Sequence, residues 1–341
     1  MKENEKMLRP MTLGDVLDYS IEVFKRNIKS IALILLVTLL PLTVLSAVIN
    51  GLYQSIKLPY TFRRYYYLSK GYTFLYRYLE KPNIPLSLSI LTILIAIIGF
   101  IHYILLRPVI NAAITKVIYH DVVKREKLGV KQVLKCCFGS FGSLVGNWLL
   151  YLLIMFGIIM AMCLGGTIIY SIIALIAVLF LTMGMTGTVL AVILDILIVI
   201  AAICAIIVFY YYFKVRFYSV FPVIIEKKSA AGAFSRSLEL TKKNFWHLSM
   251  VTAFAGLFNG FLTLLFSYGV YAGILVNKAF FMFVFILGQL LSAFVAAFMT
   301  TVLTMVYINM KVKKEGLDLE IRVDQLLETK KSSETGEAVN E

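Results

Sequence analysis

The sequence predicts an all-α integral membrane protein, with six transmembrane helices arranged as three repeats of an in-plane amphipathic helix plus a transmembrane hairpin. Three observations carry this. The 341 residues are 60% hydrophobic and only 15% charged, with a mean hydropathy of +0.86. A soluble domain cannot hide that much apolar surface. Apolar runs of about 20 residues, the length a bilayer core requires, recur along the chain. The polar segments between them share a helical charge pattern.

The chain opens on MKENEKMLRPMTLGD, which is polar and has no early apolar region, so no cleaved signal is expected. From Thr12 the residues Leu13, Val16, Leu17, Ile21, Phe24 and Ile28 recur at helical spacing opposite a charged face. Thr12 suits an N-cap, and Asp15 three residues on completes a capping-box pattern. A first span follows over Ile31–Ile49 and a second over Leu86–Leu106. Between them the segment 50–85 carries Tyr53, Tyr60, Tyr65, Tyr66, Tyr67, Tyr72, Tyr76 and Tyr78, with six basic residues against Glu80. It reads as an interfacial helix with tyrosines at headgroup level, or as a surface for an anionic polymer or headgroup.

The region Leu144–Phe213 has the length for three tight crossings, turning at Gly165-Gly166 and Gly184–Gly187, or for two longer ones. Charge decides. With two crossings and the N-terminus inside, the inner segments 1–30, 107–143, 214–247 and 311–341 hold 26 of the 33 Lys and Arg. Three crossings would place the seven basic residues of 214–247 outside, against the positive-inside rule. Two more spans, roughly Leu248–Tyr268 and Phe280–Ile308, complete six, with both termini cytoplasmic. The segment Gly316–Gln325 has an apolar stripe at Leu317, Ile321 and Leu326 suited to docking back on the inner helices. Residues 329–341 read as a disordered acidic tail, so the expected membrane domain is 1–328.

The inner segments contain a repeat. Thr12–Ile31 aligns without gaps onto Ser229–Leu248, pairing Ser20 with Ser237, Glu22 with Glu239, Lys25 with Lys242, Arg26 with Lys243 and Asn27 with Asn244. A weaker third copy starts at Gly129, with Val133, Leu134, Phe138, Phe141 and Val145 on the stripe. Val123-K-R-E126, Ile225-E-K-K228 and Val312-K-K-E315 echo one another at the inner ends of the even spans. The repeat units run over about 12–118, 129–228 and 229–316. Helices of this kind prefer the membrane interface, with Lys and Arg reaching headgroups.

Three stretches together resemble a known family: Arg9-P-M-T-L-G-D-V-L-D18, Glu226 to Trp246 with its Ala233-F-S-R-S237, and Lys314-E-G-L-D-L-E320. The chain is similar over nearly its whole length to the bacterial family named for the membrane domain of glycerophosphoryl diester phosphodiesterases. The resemblance implies a stand-alone multi-span protein of the bacterial cytoplasmic membrane. It does not imply phosphodiesterase activity. That activity belongs to a soluble metal-binding barrel fused to some members, and about 30 polar residues after the last span leave no length for one.

Candidate sites are few. Asp195 is the one acidic residue within an apolar span, and an intramembrane carboxylate is a functional candidate by default. His102, five residues before Arg107-Pro108, is a second intramembrane polar candidate, suited to proton relay or to an interhelical hydrogen bond. Glu226, Arg236, Ser237, Lys242 and Trp246 form a structural or headgroup-binding cluster, in which Glu226 is expected to pair with Arg236 and tie the helix to the preceding span. Trp148 and Trp246 begin spans, as interface anchors do. Cys136 and Cys137 are adjacent, which is not a metal-site spacing, and Cys163 and Cys204 lie in apolar spans as small hydrophobes.

No nucleophile–base pair, metal cluster or cofactor motif emerges, so the chain reads as a non-enzymatic scaffold, accessory or lipid-facing module. A lipid or solute permease is the alternative, and a membrane-embedded enzyme ranks third. The expected partners are the bilayer, anionic headgroups at the cytoplasmic face, and a protein partner or second copy. The net charge of +14 reports topology and lipid contact rather than nucleic acid.

Overall fold

A computed structural model describes residues 10–69, 86–182, 220–242 and 278–317, with short pieces at 196–197, 200, 204, 250, 257–258, 260–262, 264–265, 319 and 323. Every element among them is helical. Three helices are long and apolar enough to cross a membrane: Gly14–Lys57, Leu86–Lys124 and Ala279–Glu315. A fourth is added if Val130–Gly139 and Phe141–Ile154, broken at Ser140, count as one span. The chain is thus an all-α protein with the helices of a membrane protein. The predicted spans Ile31–Ile49, Leu86–Leu106 and Phe280–Ile308 fall inside the first three. Asp195, Trp246, Ile321, Leu326, Gly184–Gly187 and most of the span Leu248–Tyr268 lie outside the described residues.

The described helices belong to two compact units, residues 1–141 with 251–341, and residues 142–250. The first is built on α1 (Leu13–Ser69), a helix of 57 residues and about 85 Å. Its start is the expected capping box. The Asp15 N–H donates to the Thr12 hydroxyl at 3.3 Å, and the Thr12 N–H donates to the Asp15 carboxylate at 3.0 Å. The predicted in-plane helix is not a separate element, however. α1 runs unbroken from the amphipathic stretch into the first span, because no Gly or Pro lies between Asp15 and Leu40 to interrupt propagation, and it continues past Pro41 and Gly51 into the tyrosine-bearing segment.

The second rod is α2 (Leu86–Phe100), a π-helical turn at Ile101–Leu106, α3 (Arg107–Tyr119) and a second π-turn at His120–Lys124. Pro108 accounts for the first π-turn. It has no N–H for the carbonyl four residues back, and its ring crowds that carbonyl. Widening the preceding turn relieves the clash, and the Arg107 N–H bonds to the carbonyl of His102. Then come α4 (Val130–Gly139) and, much later, α7 (Lys278–Glu315).

α7 packs along α1 and α3, and α1 also contacts α2 and α4. Phe24 of α1 meets Phe298 of α7 edge to face, with centroids 5.5 Å apart. One half of this unit is sealed: Val16, Val23 and Ile31 of α1, Ala112, Ala113 and Ile118 of α3, and Val302 to Ile308 of α7 are buried. Thr301 and Thr304 are buried with them, each hydroxyl donating to the carbonyl four residues back. The other half exposes apolar residues, among them Val37 and Leu45, Ile93 and Ile97, and Phe283 and Leu287. Apolar patches of that extent suit lipid rather than water.

The two ends of the unit are tied by Asn309, which is 1% exposed. Its amide accepts from the Met11 N–H at 2.9 Å and donates to the Met11 carbonyl at 3.2 Å. Lys313 donates to the same carbonyl at 2.8 Å. Beyond α7, Gly316 takes φ +64 and Leu317, the one residue of the predicted stripe that is described, is 5% exposed.

The second unit contains α5 (Phe141–Thr182, from Gly142 on), a helical piece at 220–225 and α6 (Ala230–Thr241). α5 passes through Gly165-Gly166 without a turn, so no tight crossing reverses there. α5 and α6 touch closely at their starts. Asn147 donates to the carbonyl of Ala230 at 3.1 Å, and a Cβ on Gly146 would sit 3.6 Å from that of Ala230. Trp148 is 2% exposed, with its ring 5.7 Å from that of Tyr151. It is therefore a core residue rather than the expected interface anchor.

Replacing Asn309 by Leu leaves both polar groups of the Met11 backbone without their amide partner in a buried place. The expected loss is about 1–3 kcal/mol, read as a lower unfolding midpoint in detergent together with faster proteolysis near Thr12.

Candidate functional site

Three helix starts share one register. α1, α4 and α6 begin after Thr12, Gly129 and Ser229, and in each the cap carbonyl takes the first helical bond, from Val16, Val133 and Ala233 at 3.1, 3.1 and 2.9 Å. Four residues after the cap, Val16, Val133 and Ala233 are all 0% exposed. Eight residues after it, Ser20, Cys137 and Ser237 are also all 0% exposed. Ser229 caps through its hydroxyl, accepting from the Gly232 N–H at 3.3 Å, as Thr12 does from Asp15. The buried stripe is narrower than periodicity predicted, and partly polar. Ile21, Ile28, Phe138 and Leu238, assigned to apolar faces, are 43%, 44%, 49% and 45% exposed, while small hydroxyl and thiol residues sit inside. Small side chains let backbones approach.

The helix ends preceding α4 and α6 also match. Arg125 and Lys227 both take left-handed backbone, with φ 56 and 53. The next N–H, of Glu126 and Lys228, reaches the carbonyl six residues back, His120 and Pro222, at 3.2 Å in both. The echo between 123–126 and 225–228 is thus a shared helix ending.

Around these ends lie the charged clusters. In the first unit the Asp121 carboxylate, on a residue 7% exposed, accepts from Arg26 Nε at 2.8 Å and from Asn27 Nδ2 at 2.7 Å, with Arg26 Nη2 in ion-pair contact at 2.7 Å. Burial of a carboxylate is tolerated only with this degree of satisfaction. Nearby, Lys116 contacts the Cys136 thiol. In the second unit Arg236 donates to Glu226 through Nε at 3.0 Å and to Glu239 through Nη1 at 3.0 Å. The Glu226–Arg236 contact expected from the sequence is present, and its side chains are only 13% and 20% exposed. Ser237 is buried beside it on α6. Lys242 is exposed where α6 ends at ψ 134, and Trp246 lies outside the described residues.

His102 lies in the first π-turn, on two adjoining cavities of about 180 and 210 Å³. Arg107, with its guanidinium 4.9 Å from the Tyr103 ring centroid, lines the larger one. Among the described residues, no three His, Cys, Asp or Glu side chains gather as a metal site would require.

Asp121, Asn309 and Gln289 were missed by sequence reading. Each has a faint signal: a polar residue inside an apolar run, as in Tyr119-H-D-V-V123. With geometry in hand, comparisons with models of protein families, with curated proteins and with solved structures matched nothing.

An Asp121→Asn change leaves Arg26 facing a neutral amide, at an expected cost of about 1–3 kcal/mol. Paired with Arg26→Gln in a double-mutant cycle, the two losses should be clearly less than additive. Additive losses would mean that the two groups do not act together.

Proposed function

We propose that the chain is a six-span protein of the bacterial cytoplasmic membrane, built as three repeats and acting as a non-enzymatic scaffold, accessory or lipid-facing module. The observation that carries this reading is how its charged groups are used. Arg26 with Asp121, and Arg236 with Glu226, bond protein to protein at helix ends and hold elements in place. A catalytic constellation would aim such groups at a shared open site. The common register of Thr12, Gly129 and Ser229 supports the repeats. The repeat unit becomes a cap and a buried small residue eight positions on; an apolar helix follows directly within α1 and after a break at Ser140 in the second copy, while in the third α6 ends at Lys242. The resemblance to the glycerophosphoryl diester phosphodiesterase membrane-domain family agrees with a stand-alone membrane module.

A permease for a lipid or small solute is the second reading, favoured by the polar cavities at His102. Its other expected group is Asp195.

Two measurements separate the readings. A scaffold tolerates Asp195→Asn but fails in its partner co-purification when Arg236 and Lys242 are neutralised together. A permease shows the reverse, losing uptake in Asp195→Asn while the protein inserts normally. For topology, a cysteine placed at Lys228 should be labelled only after the membrane is permeabilised; labelling of intact cells would sink the six-span arrangement.

A further inference from the structure

In the first unit, the exposed apolar surface of the second rod ends at Tyr103 in the π-turn, which is 44% exposed, and the sealed half begins at Pro108 and Val109. The larger cavity, about 210 Å³, sits at this boundary between α1, the π-turn and α3, and α7. Its polar lining is His102, Arg107, Asn111, Gln289 and Ser292, and its apolar lining includes Leu35. Among the described residues, no carboxylate lines it or the cavity beside it, where Thr43 and Ser46 add two hydroxyls.

The lining groups are not used up within the protein. Among the described residues Arg107 forms no ion pair, and the side chains of His102, Gln289 and Ser292 form no hydrogen bond. A guanidinium with amide, imidazole and hydroxyl groups, and no acid, is a donor-rich setting for an anion. Arg in particular presents a planar fork that matches phosphate oxygens.

A phosphate group could reach this place free or on a lipid. The rim favours the lipid. Gln289 is exposed, and so are Leu94 (39%) and Leu45 (49%), each about one turn from a lining residue of the adjoining cavity, Ile98 and Leu42. A polar amide such as Gln289 among lipid-facing residues is costly unless it has a partner. The volume is below the roughly 300 Å³ of an ordinary ligand pocket, so a headgroup phosphate fits while acyl chains stay outside on the apolar face.

We propose that this cavity seats the phosphate of an anionic phospholipid, with Arg107 pairing with its oxygens and His102, Asn111 and Gln289 completing the contacts. The inference rests on the membrane-spanning reading and not on whether the chain is a scaffold or a permease.

The test is native mass spectrometry of the full chain in mild detergent with added phosphatidylglycerol. Wild type should retain the lipid, and Arg107→Gln should weaken retention by about tenfold or more, the scale of a lost charge-assisted contact. Arg107→Lys should fall between them, and Lys25→Gln, an exposed lysine on α1, should match wild type. Unfolding midpoints identify any variant that fails to fold; if Arg107→Gln does, Gln289→Leu takes its place with a smaller expected loss. Excess inorganic phosphate should not displace the lipid. Equal retention by the folded variants, equal retention of phosphate-free diacylglycerol, or displacement by inorganic phosphate overturns the proposal. Failure of the membrane reading would look different, as release of the protein from membranes at alkaline pH.

Discussion

The carboxylate of Asp121 is the constraint around which the first unit is arranged. It is buried at the end of the second rod, and an uncompensated buried charge costs several kcal/mol. Arg26 and Asn27, neighbours on α1, both reach it. Two adjacent residues on a helix point about 100° apart, so meeting one acceptor with both fixes the rotation and the height of α1 together. A slip of one residue would strand the acid. Apolar contacts alone would not set this register, because in lipid one apolar neighbour substitutes for another.

That constraint divides the unit in two. The sealed half is specified by directional contacts: the Asp121 cluster, the buried threonines, and the Met11–Asn309 clasp. The exposed half is apolar on its outside and needs only length and shape. The second unit repeats the device in miniature, with Arg236 bridging Glu226 before the helix and Glu239 within it. Neither pair resembles an exposed surface salt bridge of negligible weight, since each has a partner that is 13% exposed or less.

Long apolar runs, the Thr12–Asp15 cap and the Glu226–Arg236 pair were legible in the sequence because each rests on local spacing. The continuity of α1 was less so. An amphipathic stretch ahead of a span is compatible with lying flat or with running straight on, and the deciding fact is the lack of a breaker before Leu40. The break at Ser140 separates α4 from its span with no side-chain signal beyond nearby glycines. The buried stripe was misread where polar residues take part, because a stripe drawn through apolar residues alone passes over Ser20 and Asn27, which are buried on the same face, Asn27 with its amide on Asp121. Asn309 and Gln289 become meaningful only through partners or cavities about 200 or more residues away in the chain, which spacing cannot reveal.

The clasp between Met11 and Asn309 has a consequence for how the protein is made. The two residues are 298 positions apart. At common rates of synthesis, about 5–20 residues per second, Asn309 emerges some 15–60 s after Met11. Until then the Met11 backbone lacks the Asn309 amide, and α1 and α3 lack the long helix that packs along them. All of the second unit is made in that interval. The first unit is therefore begun before the second and closed after it, so a chain cut short before α7 is left with its Met11 backbone unfastened.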